Sequence, residues 1–189
     1  KKNKIEKLLG FGKLKPGKKV EVTAEDGTKT DYNADHIILA TGGKSRELPS
    51  LPIDGKKIIG YREAMVMDKQ PESMVIVGSG AIGVEFAYFY NSIGTDVTIV
   101  EYMDRIVPVE DIDVSKQLAR TYKKNKMKIM LESEVTSVDT KGKQCKVHVK
   151  TKKGEEILEA DVVLSAVGVS TNLEGIGLED VGVATDKGK

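Results

Sequence analysis

Three glycines and one glutamate between residues 78 and 101 have residue types and a spacing that suit chemistry with phosphates and sugars. Gly78, Gly80 and Gly83 follow a β-branched run, and Glu101 ends a second such run eighteen positions after Gly83. In that pattern the glycines permit a tight turn, close approach of the backbone to a pyrophosphate, and close packing of a helix on a strand. The carboxylate accepts hydrogen bonds from ribose hydroxyls and repels a 2′-phosphate. The four residues therefore favour an NAD site over an NADP site.

Those residues need a strand before the turn, a helix after it and a second strand beyond, and the sequence predicts all three. An apolar strand spans 74–77, an amphipathic helix spans roughly 81–93, and a strand over 96–100 ends at Glu101. Gly94 is expected to end the helix. The predicted buried face of this helix consists of Ile82, Phe86, Ala87, Phe89, Tyr90 and Ile93.

The chain continues with a second helix and a third strand, as a nucleotide-binding unit requires. The helix is predicted over about 113–125 with Asp111 or Asp113 as its cap, and the strand over 127–131. The predicted buried side of the helix consists of Val114, Leu118, Ala119 and Tyr122.

Strand patterns of a different kind occupy both flanks of this unit. Three alternating runs separated by Lys-Gly turns predict an antiparallel meander over 135–140, 145–151 and 155–159. An apolar strand over 161–167 is then predicted to lead to Gly168. Near the start, 19–23 and 28–32 predict a hairpin. A short apolar run over 36–40 predicts a buried strand, and the prolines and glycines of 44–60 predict a surface linker.

Composition narrows the class of protein. The 189 residues are 31% charged and 39% hydrophobic with a net charge of +1, which is typical of a soluble globular chain and gives no argument for nucleic acid or an anionic membrane. The one cysteine, Cys145, excludes an intrachain disulfide and a multi-cysteine metal site, and favours a cytoplasmic location. His36 and His148 are interpreted as structural, and no metal site is expected. The ends, which lack an initial Met and a closing element, suggest a fragment.

Three residues near the glycines each need an interpretation of their own. Glu85, assigned to the first helical turn, stabilises the helix dipole or contacts a cofactor. Ile82 packs in the core or lines a nicotinamide site. Arg105 is interpreted as a surface charge, because Glu101 already disfavours a 2′-phosphate.

Four segments in order along the chain carry a family resemblance. They are the sequences Ala-Thr-Gly-Gly at 40–43, the glycine-rich stretch at 75–85, Val-Thr-Ile-Val-Glu at 97–101 and Ala-Val-Gly at 166–168. Together they resemble the middle of the dihydrolipoamide dehydrogenases, members of the flavoprotein disulfide reductase family. The resemblance implies a reaction that oxidises dihydrolipoyl groups and passes electrons through a redox disulfide and FAD to NAD+.

The same resemblance assigns site residues and partners. The residues implied to contact FAD are Gly12, Thr41, Gly42 and Gly43. The residues implied to hold NAD are Gly78, Ser79, Gly80, Ala81, Ile82, Gly83, Val84, Glu85, Glu101, Val135 and Gly168. It implies lipoyl domains of 2-oxo acid dehydrogenase complexes as partners, and a homodimer. No catalytic residue is assigned, since the family's redox disulfide motif is absent from these residues.

The resulting prediction is an α/β fold: a Rossmann-like NAD-binding domain, made of a parallel sheet plus an antiparallel meander, with a partial FAD-domain segment. The predicted domains are 1–70 (FAD-domain part and linker), 71–167 (NAD-binding) and 168–189 (a return segment). The fragment alone is expected to bind NAD(H) and to be inactive towards dihydrolipoamide. Two alternatives remain: another flavoprotein reductase, such as a mercuric reductase or an NAD(P) transhydrogenase, and a non-catalytic NAD(H)-binding module.

Overall fold

The computed structural model describes residues 3–186, which fall into two compact units. The first unit comprises the described parts of 1–44 and 170–189, and the second unit comprises 45–169. The domain boundaries expected from the sequence, at 70/71 and 167/168, stay a prediction. Residues 1, 2 and 187–189 of the outer predicted domains lie outside the described residues.

Thirteen strands and three α-helices are assigned within the described residues. In chain order they are β1 (Phe11–Lys15), β2 (Lys19–Thr23), β3 (Lys29–Asn33), β4 (Gly43–Ser45), β5 (Ile58–Ile59), α1 (Tyr61–Ala64), β6 (Ser73–Val77), α2 (Ala81–Ser92), β7 (Asp96–Val100), α3 (Ile112–Lys124), β8 (Lys128–Met130), β9 (Glu134–Asp139), β10 (Cys145–Thr151), β11 (Gly154–Ala160), β12 (Val162–Ser165) and β13 (Val169–Thr171). A short 3₁₀ helix spans Glu179–Val181. None of the helices in this described part has the length and apolar character needed to cross a bilayer.

A five-stranded parallel sheet in the order β5-β12-β6-β7-β8 organises the second unit. Strand β6 lies at its centre and is buried on both faces, which explains its continuous apolar sequence. Met74 and Ile76 join the core cluster that contains residues of α2 and α3. Val75 and Val77 join the second cluster, which contains β10 residues. The period of two thus places alternate β6 side chains in two separate cores.

Helix α2 confirms the predicted helix, but only part of its predicted buried face. Ala87 and Tyr90 are buried, whereas Phe89 is 53% exposed and Ile93 is 45% exposed. The predicted burial of these last two residues is therefore wrong. The stripe directed at the sheet also includes Val84 and the small Gly83, and at 3.6 residues per turn it leaves positions 89 and 93 outside. Gly94 follows the helix with a positive φ of 102°, as its predicted terminating role requires.

Helix α3 begins where the predicted cap places it. The carboxylate of Asp111 accepts a hydrogen bond from the N–H of Asp113 at 2.7 Å. Tyr122 is buried as predicted, and its hydroxyl donates to the Val84 carbonyl of α2 at 2.6 Å. Val114 is 54% exposed, so its predicted burial is wrong; Ser115 takes a buried place on this helix instead.

The predicted meander is confirmed as an antiparallel sheet in the order β11-β10-β9. Cys145, Val147 and Val149 alternate along β10 and are fully buried in the cluster that covers one face of the parallel sheet. The second unit therefore has a layer of helices on one side of its parallel sheet and an antiparallel sheet on the other.

The first unit contains a three-stranded antiparallel sheet in the order β1-β2-β3. This confirms the predicted hairpin. Its small core consists of Leu14, Ile176 and Leu178, and the N–H of Leu14 donates to the Ile176 carbonyl at 2.7 Å.

Two predictions for the segment between β3 and β6 are wrong. Residues 36–40 form no strand, and Ile38 is 90% exposed. A short apolar run becomes a strand only where another strand pairs with it, and none of the described strands does so here. The predicted linker over 44–60 also contains regular structure, because β5 pairs with β12 at the edge of the parallel sheet. Leu51 and Ile58 are buried in one core cluster and Ile59 in the other.

Candidate functional site

A cleft of about 720 Å³ opens at the carboxyl ends of β6, β7 and β12 in the second unit. This is where ligands bind in open parallel α/β sheets. The lining combines the glycine-rich turn, the end of β7, the start of β9, the residues after β12 and a segment before β5. Its residues are Arg46, Leu48, Pro49, Ser50, Leu51, Val77, Gly78, Ser79, Gly80, Val100, Glu101, Tyr102, Met103, Ser133, Glu134, Val135, Ala166, Val167 and Gly168.

Two glycines of the turn are required by the protein's own packing. Gly78 has a φ of 96°, and a Cβ there would lie 2.5 Å from the carbonyl oxygen of Ala166. A Cβ on Gly83 would collide with the carbonyl oxygen of Gly78, so α2 approaches the turn only because this position has no side chain. Both positions therefore have a structural reason for glycine that holds with or without a ligand.

Gly80 is different, because nothing in the protein demands a glycine there. It precedes α2 with an ordinary φ of −67°, and a Cβ on it would meet no atom within 4 Å. It lines the cleft, so the space that a side chain would fill is ligand space. The first N–H groups of α2 have no partner within the helix and carry its positive dipole end. This end of the cleft is suited to a pyrophosphate.

Glu101 presents a buried, oriented carboxylate to the same cleft. It is only 7% exposed, and its Oε2 accepts hydrogen bonds from the Ser79 N–H at 2.7 Å and the Ser79 hydroxyl at 2.5 Å. Its Oε1 accepts a third hydrogen bond, from the N–H of Met103 at 2.8 Å. A buried carboxylate needs such donors to remain charged at low cost.

The loop after β7 is tied back to the glycine-rich turn. The N–H of Val107 donates to the carbonyl of Ser79 at 2.9 Å, although Val107 is a β-branched residue at a positive φ of 42°. Such a strained conformation persists only where the surroundings impose it. Arg105 bonds within the same loop, to the Pro108 carbonyl and the Asp104 carboxylate. It is absent from the cleft lining, which agrees with its interpretation as a charge outside the site.

The structure brings together six of the residues expected to hold NAD and leaves five outside the cleft lining. The six are Gly78, Ser79, Gly80, Glu101, Val135 and Gly168. The other five occupy the first turns of α2: Ala81, Ile82, Gly83, Val84 and Glu85. Val84 is buried in the core cluster that contains residues of α2 and α3, and its contact with NAD stays a prediction.

The predicted position of Glu85 requires a correction. Helix α2 has no acidic residue in its first turn, because Glu85 is its fifth residue and lies on the exposed face. The dipole argument for this carboxylate is correspondingly weaker.

Burial raises the pKa of Tyr122 to about 12, and the charges of Glu85 and Tyr88 contribute further. The Tyr122 phenol therefore stays protonated and holds α3 against α2.

The residues expected to contact FAD all lie in the first unit. Gly12 is exposed in β1, opposite Val22. The carbonyls of Thr41 and Gly42 accept hydrogen bonds from the side chain and the N–H of Asn172, at 3.1 and 3.0 Å. Gly43 begins β4. These residues are exposed or half-buried, and their contact with FAD stays a prediction.

Sequence reasoning missed one whole side of the cleft, the segment from Arg46 to Leu51. The N–H of Arg46 donates to the Gly168 carbonyl at 2.9 Å, which ties this segment to the residues after β12. Leu51 is fully buried and bridges to Leu48. Pro49 and Pro52 suggested a linker, whereas the two flanking leucines were the available signal for a buried turn.

Cys145 is placed where it performs no chemistry in the cleft. It is fully buried, and this burial raises the pKa of its thiol, so the reactive thiolate is disfavoured. The residues that line the cleft include neither a cysteine nor a histidine. The glycine-rich turn, the N-terminus of α2 and the Glu101 carboxylate suit the cleft to binding a dinucleotide.

Comparisons with known proteins agree with this geometry. The family model described as "Pyridine nucleotide-disulphide oxidoreductase" matches residues 1–189. A dihydrolipoyl dehydrogenase from Rhizobium etli is 42% identical in an alignment 206 residues long, which covers 100% of this chain and 42% of that protein. A leghemoglobin reductase from Glycine max is 39% identical, over 98% of this chain and 36% of that protein.

Solved structures show the same fold. LpdA from Mycobacterium tuberculosis superimposes with a TM-score of 0.83 at 30% identity, over 96% of this chain and 40% of that one. The flavoprotein disulfide reductase RclA from Escherichia coli, in its Cu(II) complex, gives a TM-score of 0.80 at 23% identity, over 95% of this chain and 39% of that one, and shows the fold alone. The chain thus spans about 40% of the length of these relatives.

Proposed function

Because the chain belongs to the pyridine nucleotide-disulphide oxidoreductase family, we propose that its cleft binds NAD(H) for a reaction of the dihydrolipoyl dehydrogenase type. The observation that carries the proposal is the carboxylate of Glu101, buried and held at the glycine-rich turn where a ribose lies in dinucleotide sites. The open space beside Gly80 supports it, because a side chain there would enter the cleft where a ligand would lie. The residues present therefore fit NAD.

Each part of the cleft has a distinct task in this proposal. The N-terminus of α2, beside Gly80, binds the pyrophosphate through free N–H groups. Arg46 also lines the cleft and brings a positive charge to this region. Glu101 accepts a ribose hydroxyl and repels a 2′-phosphate, while Val135 and Leu51 contribute apolar surface. When bound, NAD+ supplies the nicotinamide that accepts a hydride.

The full reaction is proposed from the relatives, which include the dihydrolipoyl dehydrogenase of Rhizobium etli. It oxidises a dihydrolipoyl group and reduces NAD+, with FAD and a redox disulfide between them. This sequence has one cysteine, so its residues alone supply no disulfide pair, and we expect them to bind NAD(H) without turning over dihydrolipoamide. FAD enters the proposal through the family, and its contacts with Gly12 and residues 41–43 stay a prediction. Lipoyl domains as partners and a homodimer are proposed on the same basis, whereas a cytoplasmic location is proposed only from the single cysteine.

A second candidate function is a non-catalytic NAD(H)-binding module. It is favoured by one observation, that every residue lining the cleft belongs to the second unit. The two functions share the nucleotide site. They differ in whether this site serves a protein that oxidises dihydrolipoyl groups. A transhydrogenase or mercuric reductase remains a further alternative within the same family.

Calorimetric titration of the purified protein with NADH and NADPH tests the proposal. We expect saturable NADH binding and NADPH binding weaker by about tenfold or more, because a close like-charge contact costs at least about 1.4 kcal/mol. E101Q should weaken NADH binding by about tenfold through the loss of a charged hydrogen-bond acceptor. E110Q is the matched control, because Glu110 is exposed in the same loop but does not line the cleft.

Both candidate functions predict no turnover by these residues alone, and an assay for dihydrolipoamide-dependent NADH formation tests that expectation. Turnover by the 189-residue chain would contradict the expected inactivity. Absence of any heat with NADH at millimolar concentration would contradict the nucleotide site itself.

A further inference from the structure

Ser79 connects the glycine-rich turn to the loop after β7 with every polar group that it has. It is completely buried. Its N–H and its hydroxyl both donate to Oε2 of Glu101, and its carbonyl accepts from the N–H of Val107 at 2.9 Å. The backbone contacts are available to any residue type at this position, whereas the hydroxyl contact requires the serine.

The hydrogen bonds leave the two oxygens of Glu101 in different situations. An ionised carboxylate has about four acceptor positions. Ser79 uses two of them on Oε2, and the N–H of Met103 uses one on Oε1. The remaining position is on Oε1. Oε2 is therefore the anchored oxygen, and Oε1 is the one with capacity for a ligand hydroxyl.

We propose that the Ser79 hydroxyl is a positioning group that fixes the Glu101 carboxylate and thereby strengthens discrimination between NAD(H) and dinucleotides with a 2′-phosphate. This rests on the NAD(H) site proposed above. A carboxylate held at Oε2 is preorganised for the ribose, so little side-chain entropy is lost on binding. The same restraint prevents the carboxylate from turning away from a 2′-phosphate, so the repulsion between the two negative charges is not relieved.

Removal of the hydroxyl should therefore weaken NADH binding without weakening NADPH binding. In S79A the Ser79 N–H and the Met103 N–H still hold Glu101, but the strongest anchor of Oε2 is gone. In this variant, NADH binding includes the entropic cost of ordering the Glu101 carboxylate. NADPH binding becomes less unfavourable, because the carboxylate is free to turn away from the 2′-phosphate. A merely structural serine would change the stability of the fold and both affinities alike.

Calorimetry of the purified protein with NADH and with NADPH measures this. We expect S79A to raise the Kd for NADH about fivefold and to leave the Kd for NADPH unchanged or lower, so that the NADPH-to-NADH ratio of Kd values falls at least about fivefold. S79G removes the same hydroxyl while keeping the N–H, and provides a second variant. S115A is the matched control: Ser115 is equally buried, and its hydroxyl donates to the Ile106 carbonyl at 2.7 Å.

A double-mutant cycle makes the positioning role specific to Glu101. In an E101Q background, S79A should no longer change the ratio of Kd values, because there is no charged carboxylate left to position. An equal loss for both nucleotides, no change for either, or an undiminished effect in E101Q overturns the positioning role. If the wild-type protein fails to bind NADH, both the proposed function and the positioning role of Ser79 are rejected. If the wild-type protein binds NADH but S79A leaves the NADPH-to-NADH ratio of Kd values unchanged, only the positioning role is rejected.

Discussion

At the residue scale, the three glycines of one turn differ in what surrounds them. Gly78 is fixed by its positive φ and by the Ala166 carbonyl, and Gly83 by the Gly78 carbonyl. Gly80 is constrained by neither. The motif alone indicates that glycine is needed at each place, but it does not distinguish folding from binding. That distinction requires the position of each missing Cβ.

The first prediction follows from that distinction and concerns G80A. An alanine fits the backbone at φ −67°, so the free energy of unfolding should fall by no more than about 1 kcal/mol, the cost of a poorer N-cap. Its methyl group enters the cleft, so the Kd for NADH should rise by about tenfold or more. Urea unfolding and calorimetry measure the two quantities on the same protein.

The same substitution at Gly83 is the control with the opposite expectation. G83A places a methyl group against the Gly78 carbonyl, and relieving that collision should cost about 2 kcal/mol or more of stability. A G83A protein as stable as wild type, or a G80A protein that binds NADH normally, would contradict the separate roles given to the two glycines.

At the element scale, Asp161 fixes the amino-terminal ends of β12 and β6, two neighbouring strands of the parallel sheet. Its carboxylate accepts hydrogen bonds from the N–H groups of Glu72 and Ser73, each at 3.0 Å, and from the side chain of Gln144 at 3.1 Å. Its own N–H donates to the Ser73 hydroxyl. Asp161 precedes β12 directly, so these contacts hold β12 beside β6, and the cleft lies at the opposite, carboxyl ends of both strands.

A pH-dependent stability follows from this carboxylate. Burial acts to raise its pKa, but the hydrogen bonds from Gln144, Ser73 and Glu72 outweigh burial and hold the pKa below the ordinary value of 3.8. The folded-state pKa is lower than the unfolded one, so the stabilisation is present above pH 3.8 and is lost as the pH falls through the folded value. D161N should reduce the free energy of unfolding by about 2 kcal/mol at pH 7.

Urea unfolding at pH 7 and at progressively lower pH checks this. The difference between wild type and D161N should shrink below pH 3.8, because protonation removes the charged acceptor from the wild type as well. D96N is the control, since Asp96 is exposed at the start of neighbouring β7. A D161N difference that is constant with pH would show that the carboxylate charge is not what stabilises the strands.

The elements predicted well are those whose pattern is set locally. β7 and the meander strands were recognisable because turns and caps bound them, and Gly94 marks the end of α2 in the sequence itself. The predictions that were wrong depended on distant partners. Residues 36–40 have a strand-like composition but no described strand beside them, and Phe89 has a core-like side chain on the side of α2 turned away from the sheet.

At the scale of the whole molecule, the site was predictable only in part. The glycine-rich turn and Glu101 were found because one continuous βαβ unit contains them. Arg46 and Leu51 join the cleft from a segment that is remote in sequence, and no local period marks them. The hydrogen bonds of Ser79 were likewise invisible, because they depend on how the turn and the loop after β7 meet.

The two units should also differ in their response to nucleotide. All cleft residues belong to the second unit, which contains two large apolar clusters, whereas the core of the first consists mainly of Leu14, Ile176 and Leu178. A ligand that binds only the folded second unit stabilises it by about 2.7 kcal/mol at a free concentration one hundred times its Kd. Hydrogen exchange of the intact protein, followed by mass spectrometry with and without NADH, resolves the units. The slowest amides of β6, β7 and β12 should exchange about one hundredfold more slowly with NADH, while β1–β3 should be unchanged; equal slowing in both units would show that they unfold as one.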